Sequence, residues 1–184
     1  MAKYSPNEFL YARPIASALL HDRTFRQWFL ADTKFAAVAA DALPLGEDQS
    51  SLRSTPNSKR WWWFNHYCPK DGSCTCKLGT GLETDILIIF EVIHEIRFAL
   101  HVEVKRPSET LGDGQAETYP RRAACWSEPT TRPRRILAHE DYVTVLVCGD
   151  NLRADSRRSA FDQTRFHRDI EQRISPYPDL SDIR

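Results

Sequence analysis

The stretch ETDILIIFEVIHEIRFALHVEVKRPSETLGDGQAETY, residues 83–119, decides the fold. Within it two apolar, β-branched runs, 85–92 and 98–105, flank a polar break at His94 and Glu95. Each has strand length and strand composition, so the pair is expected to form a β-hairpin. Strand side chains alternate with period two, which puts Asp85, Leu87 and Ile89 on one face. On the second run Ala99, His101, Glu103 and Lys105 share a face, while Val102 and Val104 point the other way. A connecting loop with an odd number of residues sets Asp85 opposite Glu103 or Lys105. A two-residue loop would set it opposite Val104, on the wrong face. The odd loop therefore gathers two carboxylates and an ammonium at one end of the hairpin.

Charges at strand ends are often merely solvated, and a bare Glu-x-Lys recurs by chance. Here the context adds an Asp one hairpin length upstream, apolar strands that carry the charges, and Gln115 in the polar segment that follows. In this order, Asp85, Glu103-Val104-Lys105 and Gln115-x-x-x-Tyr119 resemble the PD-(D/E)XK nuclease superfamily. The Gln-x-x-x-Tyr element looks most like its RecB-type and CRISPR-associated exonuclease branch. The resemblance covers roughly residues 80–150, under half of the chain. Thr84 stands where that superfamily often has Pro. Pro120, directly after Tyr119, removes a helix donor, so the helix is expected to start near Pro120 or to kink there.

The resemblance implies a restriction-endonuclease-like α/β fold, an αβββαβ core with a mixed central sheet flanked by helices. It implies hydrolysis of phosphodiester bonds, in DNA foremost, with Mg2+ or Mn2+ held by Asp85, Glu103 and the backbone carbonyl of Val104. Lys105 would position or deprotonate the attacking water and neutralise charge on the phosphate. Gln115 would orient the water or Lys105, with Tyr119 as a further member of the set. An acidic residue from a preceding helix can join the metal site, a part open to Glu8 or Asp32. Duplex cutting in this class often takes two active sites, which makes a homodimer one expectation. A different class of function is a non-catalytic nucleic-acid-binding or nuclease-regulating protein on the same fold. The Asp85, Glu103 and Lys105 set argues against it, since a binder has no need of these charges on one strand face.

The 184 residues suit a single domain, 41% hydrophobic and 27% charged as in ordinary globular proteins. Net charge is zero, so any nucleic-acid interface has to be a local patch. No run of about eighteen apolar residues offers a membrane span. The N-terminus lacks an apolar signal core, and five cysteines do not suit a disulfide framework. A cytoplasmic protein is expected.

Around the hairpin, residues 1–45 read as N-terminal helices, with Pro14 ending or kinking the first. Residues 44–60 read as a polar surface loop. The aromatic run from Arg60 to Tyr67 reads as the first strand, its rings packed in the core rather than offered as a base-stacking platform. His66, Cys68, Cys74 and Cys76 supply the four ligands of a structural Zn2+, although not at knuckle spacing. A small zinc-stabilised adaptor is a third reading, resting on that loop alone. Arg121, Arg122, Arg132, Arg134 and Arg135 form a cluster suited to bidentate phosphate contact in a nucleic acid. Residues 141–149, DYVTVLVCG, read as a strand covered on both faces, with Cys148 a core residue. This completes a core sheet over 60–150. Residues 156–174 read as a C-terminal helix with Phe161, Phe166, Ile170 and Ile174 along one stripe.

Overall fold

Two helices come first among the described residues. In the computed structural model, which describes residues 6–68, 83–92 and 96–180, helix α1 spans Pro6–His21 and α2 spans Arg23–Phe29. Asp22 separates them and caps the second, its side chain accepting from the Phe25 N–H at 3.0 Å. Pro14 lies inside α1 instead of ending it. The bond it removes would have ended on the carbonyl of Leu10, a solvent-exposed residue, so water can replace it. Beyond Phe29 the helical spacing continues in the sequence, but residues 30–41 form successive turns leading to the two-residue strand β1, Leu43–Pro44.

The expected surface loop over 44–60 holds two short helices, α3 at Gly46–Ser51 and α4 at Pro56–Arg60. Thr55 and Ser58 bracket the start of α4 as a capping box, with Pro56 at its first position. The aromatic run turns through Trp61–Trp63 before a shorter strand than expected, β2, Phe64–Tyr67. Trp63 is buried, and Phe9 of α1 packs its ring parallel to it at 6.0 Å. These rings close the core, as their crowding in sequence led one to expect.

The hairpin forms with β3 at Glu83–Glu91 and β4 at Arg97–Val104. Its connection spans residues 92–96, an odd number, and the antiparallel register pairs Ile86 with Val102 and Leu87 with His101. One step further along, Asp85 stands beside Glu103. Helix α5, Gln115–Ser127, then crosses one face to bring β5, Asp141–Cys148, back parallel to β4. Pro120 lies within α5, so the helix neither starts late nor stops there.

Two 3-10 turns, Asp150–Leu152 and Ser156–Ala160, precede β6, Gln163–Phe166, and α6, His167–Glu171. The single helix expected over 156–174 is thus replaced by a 3-10 turn, an edge strand and one and a half turns of helix. Sheet pairing with β5 overrides the helical stripe: Phe161 and Phe166 pack on the α5 side of the sheet, and Ile170 on the other.

The result is an α/β fold with a mixed, open six-stranded sheet in the order β1-β3-β4-β5-β6, with β2 also paired to β3. Alternation divides its core. Ile86, Ile88, Phe90, Leu100, Val102 and Val104 pack under α1 and α2 with Val143, Val145 and Val147. Leu87, Ile89 and Ala99 face α5 with Cys125 and Trp126. Cys148 is buried, and burial pushes its thiol up to about 12, so it is core rather than chemistry. Among the described residues no helix is long and apolar enough to cross a membrane.

One backbone approach holds the sheet end in place. A β-carbon on Gly149, just past β5, would lie 1.7 Å from the Pro107 carbonyl oxygen, a backbone atom that cannot swing aside. Gly149→Ala is therefore expected to cost roughly 3 kcal/mol and to lower Tm by about 10 °C. Thermal unfolding of the purified variant checks this, and an unchanged Tm would show that the two segments separate freely.

Candidate active site

The end of the hairpin opens into a cleft of about 580 Å3, lined by Glu8, Glu83, Asp85, Glu103, Lys105, Asp113, Gln115, Glu117, Arg121 and Arg122 among others. The sheet supplies Asp85, Glu103 and Lys105, which are only 5%, 3% and 7% exposed. They project toward α5 because they share parity with Leu87, Ile89 and Ala99. Gly114 starts that helix in the left-handed region, φ 67°, where a side chain would be strained, and so places Gln115 at the helix's first position.

The polar contacts form a chain. Asp85 Oδ2 accepts from the Val104 N–H at 2.7 Å. Glu103 Oε1 accepts from Lys105 Nζ at 2.7 Å and from Gln115 Nε2. Gln115 is held at its other end, where its Oε1 accepts from the Gly112 N–H at 3.0 Å. Lys105 also faces Glu109, with 3.6 Å between Nζ and Oε1. Behind it, His167 donates from Nε2 to the Lys105 carbonyl at 2.6 Å, so β6 and α6 brace this end of β4. Asp85 Oδ1 and Glu103 Oε2 have no hydrogen-bond partner among the described residues.

The electrostatics follow from packing carboxylates together. Burial and the neighbouring Glu103 charge hold the Asp85 carboxyl well above the usual range, against the pull of the Val104 N–H. Burial raises Glu8 as well, helped by the charges of Glu109, Glu103 and Glu83, and it raises Glu83 with Glu103. For Lys105 burial disfavours the ammonium, but Glu103, Glu109 and Asp85 outweigh it, so its pKa lies above the ordinary value. The surrounding carboxylates thus favour the Lys105 ammonium.

Asp85, Glu103, Lys105 and Gln115 thus meet in one cleft, and Glu8 joins them from α1. Asp32 does not, being a left-handed turn residue near Arg165. Tyr119 lies behind the cleft, donating to the Val102 carbonyl at 2.8 Å and fastening α5 to β4. The arginines divide. Arg122 is buried, bonded to Thr84 Oγ1 at 3.0 Å and packed over the Tyr119 ring, while Arg121 lines the cleft. Arg132, Arg134 and Arg135 line a separate pocket.

Of the four zinc candidates, Cys74 and Cys76 lie outside the described residues. Both His66 nitrogens are engaged, one with the Trp62 carbonyl at 2.7 Å and the other with Arg53 at 3.2 Å. A zinc ion on His66 would have to displace that guanidinium.

Sequence reading had not singled out Glu83, at the start of β3. Nor had it found Glu109, although its spacing of four from Lys105 was a visible signal.

Fold and site together define an α/β protein with a buried carboxylate–lysine cleft at the mouth of a hairpin. No family model, curated protein or solved structure matches the chain.

Proposed function

We propose that this cleft is the active site of a divalent-metal-dependent nuclease, on a core of restriction-endonuclease-like type, with DNA as the foremost substrate. The observation that carries the reading is the cross-strand pair of Asp85 and Glu103, each with one oxygen unpartnered among the described residues, with Lys105 Nζ 2.7 Å from Glu103 Oε1. Buried carboxylates that repel each other make a costly arrangement unless a cation or a reaction uses it. Among the described residues no group of three or more His, Cys, Asp or Glu side chains is arranged to hold an ion. A magnesium-class ion asks for less, since one or two carboxylates suffice, with water and substrate phosphates completing the shell.

Asp85 and Glu103 would hold the ion, with the Val104 carbonyl and Glu8 at hand as further oxygen donors. The ion would supply positive charge at the scissile phosphate and favour ionisation of water there. Lys105, fixed by Glu103 and Glu109, presents its ammonium to charge that builds on the phosphate. Gln115 holds the Glu103 carboxylate in place through its own bond to Gly112, so it acts as a positioning residue. Tyr119 positions α5. Arg121 adds a cation at the rim, suited to a backbone phosphate.

Incubation with linear, circular and single-stranded DNA and with RNA, with Mg2+ or Mn2+, tests this. Cleavage is expected with metal and is expected to stop in EDTA. Lys105→Ala should slow it by about a hundredfold while the protein stays folded. Opening of circles distinguishes an endonuclease from an end-requiring exonuclease. Tight binding without any cleavage would replace the proposal with a non-catalytic binding protein.

A further inference from the structure

The second polar cavity, about 810 Å3, is lined by Arg53, Arg132, Arg134 and Arg135, and among the described residues no Asp or Glu lines it. Among the described residues none of these four guanidiniums has a carboxylate partner. Elsewhere in the chain arginines do find them, as Arg157 does on Asp155 and Arg97 on Glu91. What marks this cavity is that four such cations line it together with no acidic side chain among its described lining residues.

It is also built. Buried Gln49 of α3 donates to the Arg135 carbonyl at 3.0 Å and accepts from the Leu137 N–H at 2.9 Å, which pins the arginine-bearing loop against α3. Arg132 donates to the carbonyls of Ser127 and His139, tying the loop to itself. Arg53 donates from one terminal nitrogen to the Phe64 carbonyl at 2.9 Å, and its buried Nε has no partner among the described residues. Burial, and then the charge of Arg135, work against the Arg53 cation. His66 beside it stays neutral, so it neither adds to nor relieves the positive charge.

Like charges held together by a braced loop raise the energy of the protein alone, and an anion between them lowers it. Guanidinium forks match phosphate oxygens in pairs. A phosphate monoester carries about 1.5 to 2 negative charges at neutral pH on three terminal oxygens, and inorganic phosphate carries between one and two on four, each more than the single charge and two free oxygens of a backbone diester. We infer that the Arg53–Arg132–Arg134–Arg135 pocket is a binding site for a phosphate dianion, separate from the carboxylate cleft. The Ser54 and Thr130 hydroxyls line the same pocket and add donors. The site adjoins the cleft through one bond: Tyr67, on its wall, donates to Glu83 Oε1 at 2.8 Å, and Glu83 lines the cleft. A strand with a phosphorylated end and free phosphate are both sources of this group.

Titration calorimetry with inorganic phosphate, in low-salt buffer without divalent metal, tests the site independently of any cleavage. Arg134 and Arg135 are exposed, so Arg134→Ala/Arg135→Ala should fold normally and bind phosphate at least about tenfold more weakly. Arg121→Ala, at the cleft, should leave the affinity unchanged. Arg53→Lys keeps the charge but loses the fork, and it should also weaken binding. Absence of phosphate binding by the wild type would overturn the inference, as would loss with Arg121→Ala instead of the arginine pair. Competition with a short oligonucleotide identifies the source. Displacement of phosphate only by the end-phosphorylated form assigns the pocket to strand ends, and displacement by neither form assigns it to free phosphate. Equal displacement by end-phosphorylated and hydroxyl-ended forms would mean that the pocket takes backbone diesters, and the dianion assignment would fall.

Discussion

Asp85→Asn is expected to raise the melting temperature and at the same time to remove metal-dependent cleavage. The Asp85 carboxyl titrates well above its ordinary range because it is buried and faces Glu103. A carboxylate whose pKa is raised on folding begins to oppose the fold as the pH passes its unfolded value, and does so fully once the pH exceeds its folded value. The opposition shrinks as the pH falls, and it is gone below the unfolded value. Asparagine has the same shape and keeps an oxygen for the Val104 N–H, but it carries no charge. A gain of about 1–2 kcal/mol, or a few degrees in Tm, is expected at pH 7, with the gap to wild type closing toward pH 4. The rate should drop by at least about a hundredfold, since the carboxylate would be a ligand of the ion. Full activity in the variant would remove Asp85 from the reaction. A lower Tm would mean that the fold needs the ionised carboxylate, and the strain argued for this cleft would be wrong.

The placement of these side chains was legible in the sequence because strand parity is a strict rule. Once residues 83–105 form a hairpin with an odd loop, Asp85 and Glu103 must share a face, and the observed register gives that pairing. The apolar run of β5 was legible for a related reason, since continuous burial leaves little doubt about a central strand. Helical spacing was a weaker guide. Residues 30–41 and 156–166 carry the right stripe, yet turns and an edge strand take their place, because pairing with β5 and packing under the sheet outweigh local propensity. Of the two outcomes expected at Pro14 and Pro120, a stop occurs at neither, because tertiary packing retains each helix despite a lost donor.

Long-range partners were least legible. The entry of Glu8 into the cleft depends on how α1 lies across the sheet. The meeting of Arg53 with Arg135 depends on the grip of Gln49 on a loop more than eighty residues away. No local pattern encodes either. The sequence proximity of Arg121, Arg122, Arg132, Arg134 and Arg135 even pointed to a single patch, whereas helix α5 carries the first two toward the cleft and the loop after it carries the rest away.

The Asp85→Asn protein should lose several kcal/mol of stability between pH 7 and pH 5, through four histidines that the fold keeps neutral. His66, His101, His139 and His167 are all buried. Burial lowers each of them: His66 to about 3, His139 and His167 to about 4, and His101 well below its ordinary value. Their bonds fit the neutral ring. His167 donates to the Lys105 carbonyl and accepts from the Tyr177 hydroxyl, and His139 donates to the Leu137 carbonyl. As the pH falls below about 6.5 the unfolded chain takes up protons that the folded chain refuses, so stability declines until the folded values are reached. Each histidine contributes about 2 kcal/mol over this interval, against a total stability on the order of 5–15 kcal/mol. Glu8, Glu83 and, in the wild type, Asp85 act in the opposite sense, because the fold raises their pKa values and binds their protons first. Replacing Asp85 removes the largest of these and uncovers the histidine effect. Urea unfolding at pH 7, 6 and 5 gives the slope directly, and a flat profile would show that the imidazoles gain protons within the fold. His167→Gln in the same background cannot titrate, so it should recover about 2 kcal/mol of the acid loss whatever it does to stability at pH 7.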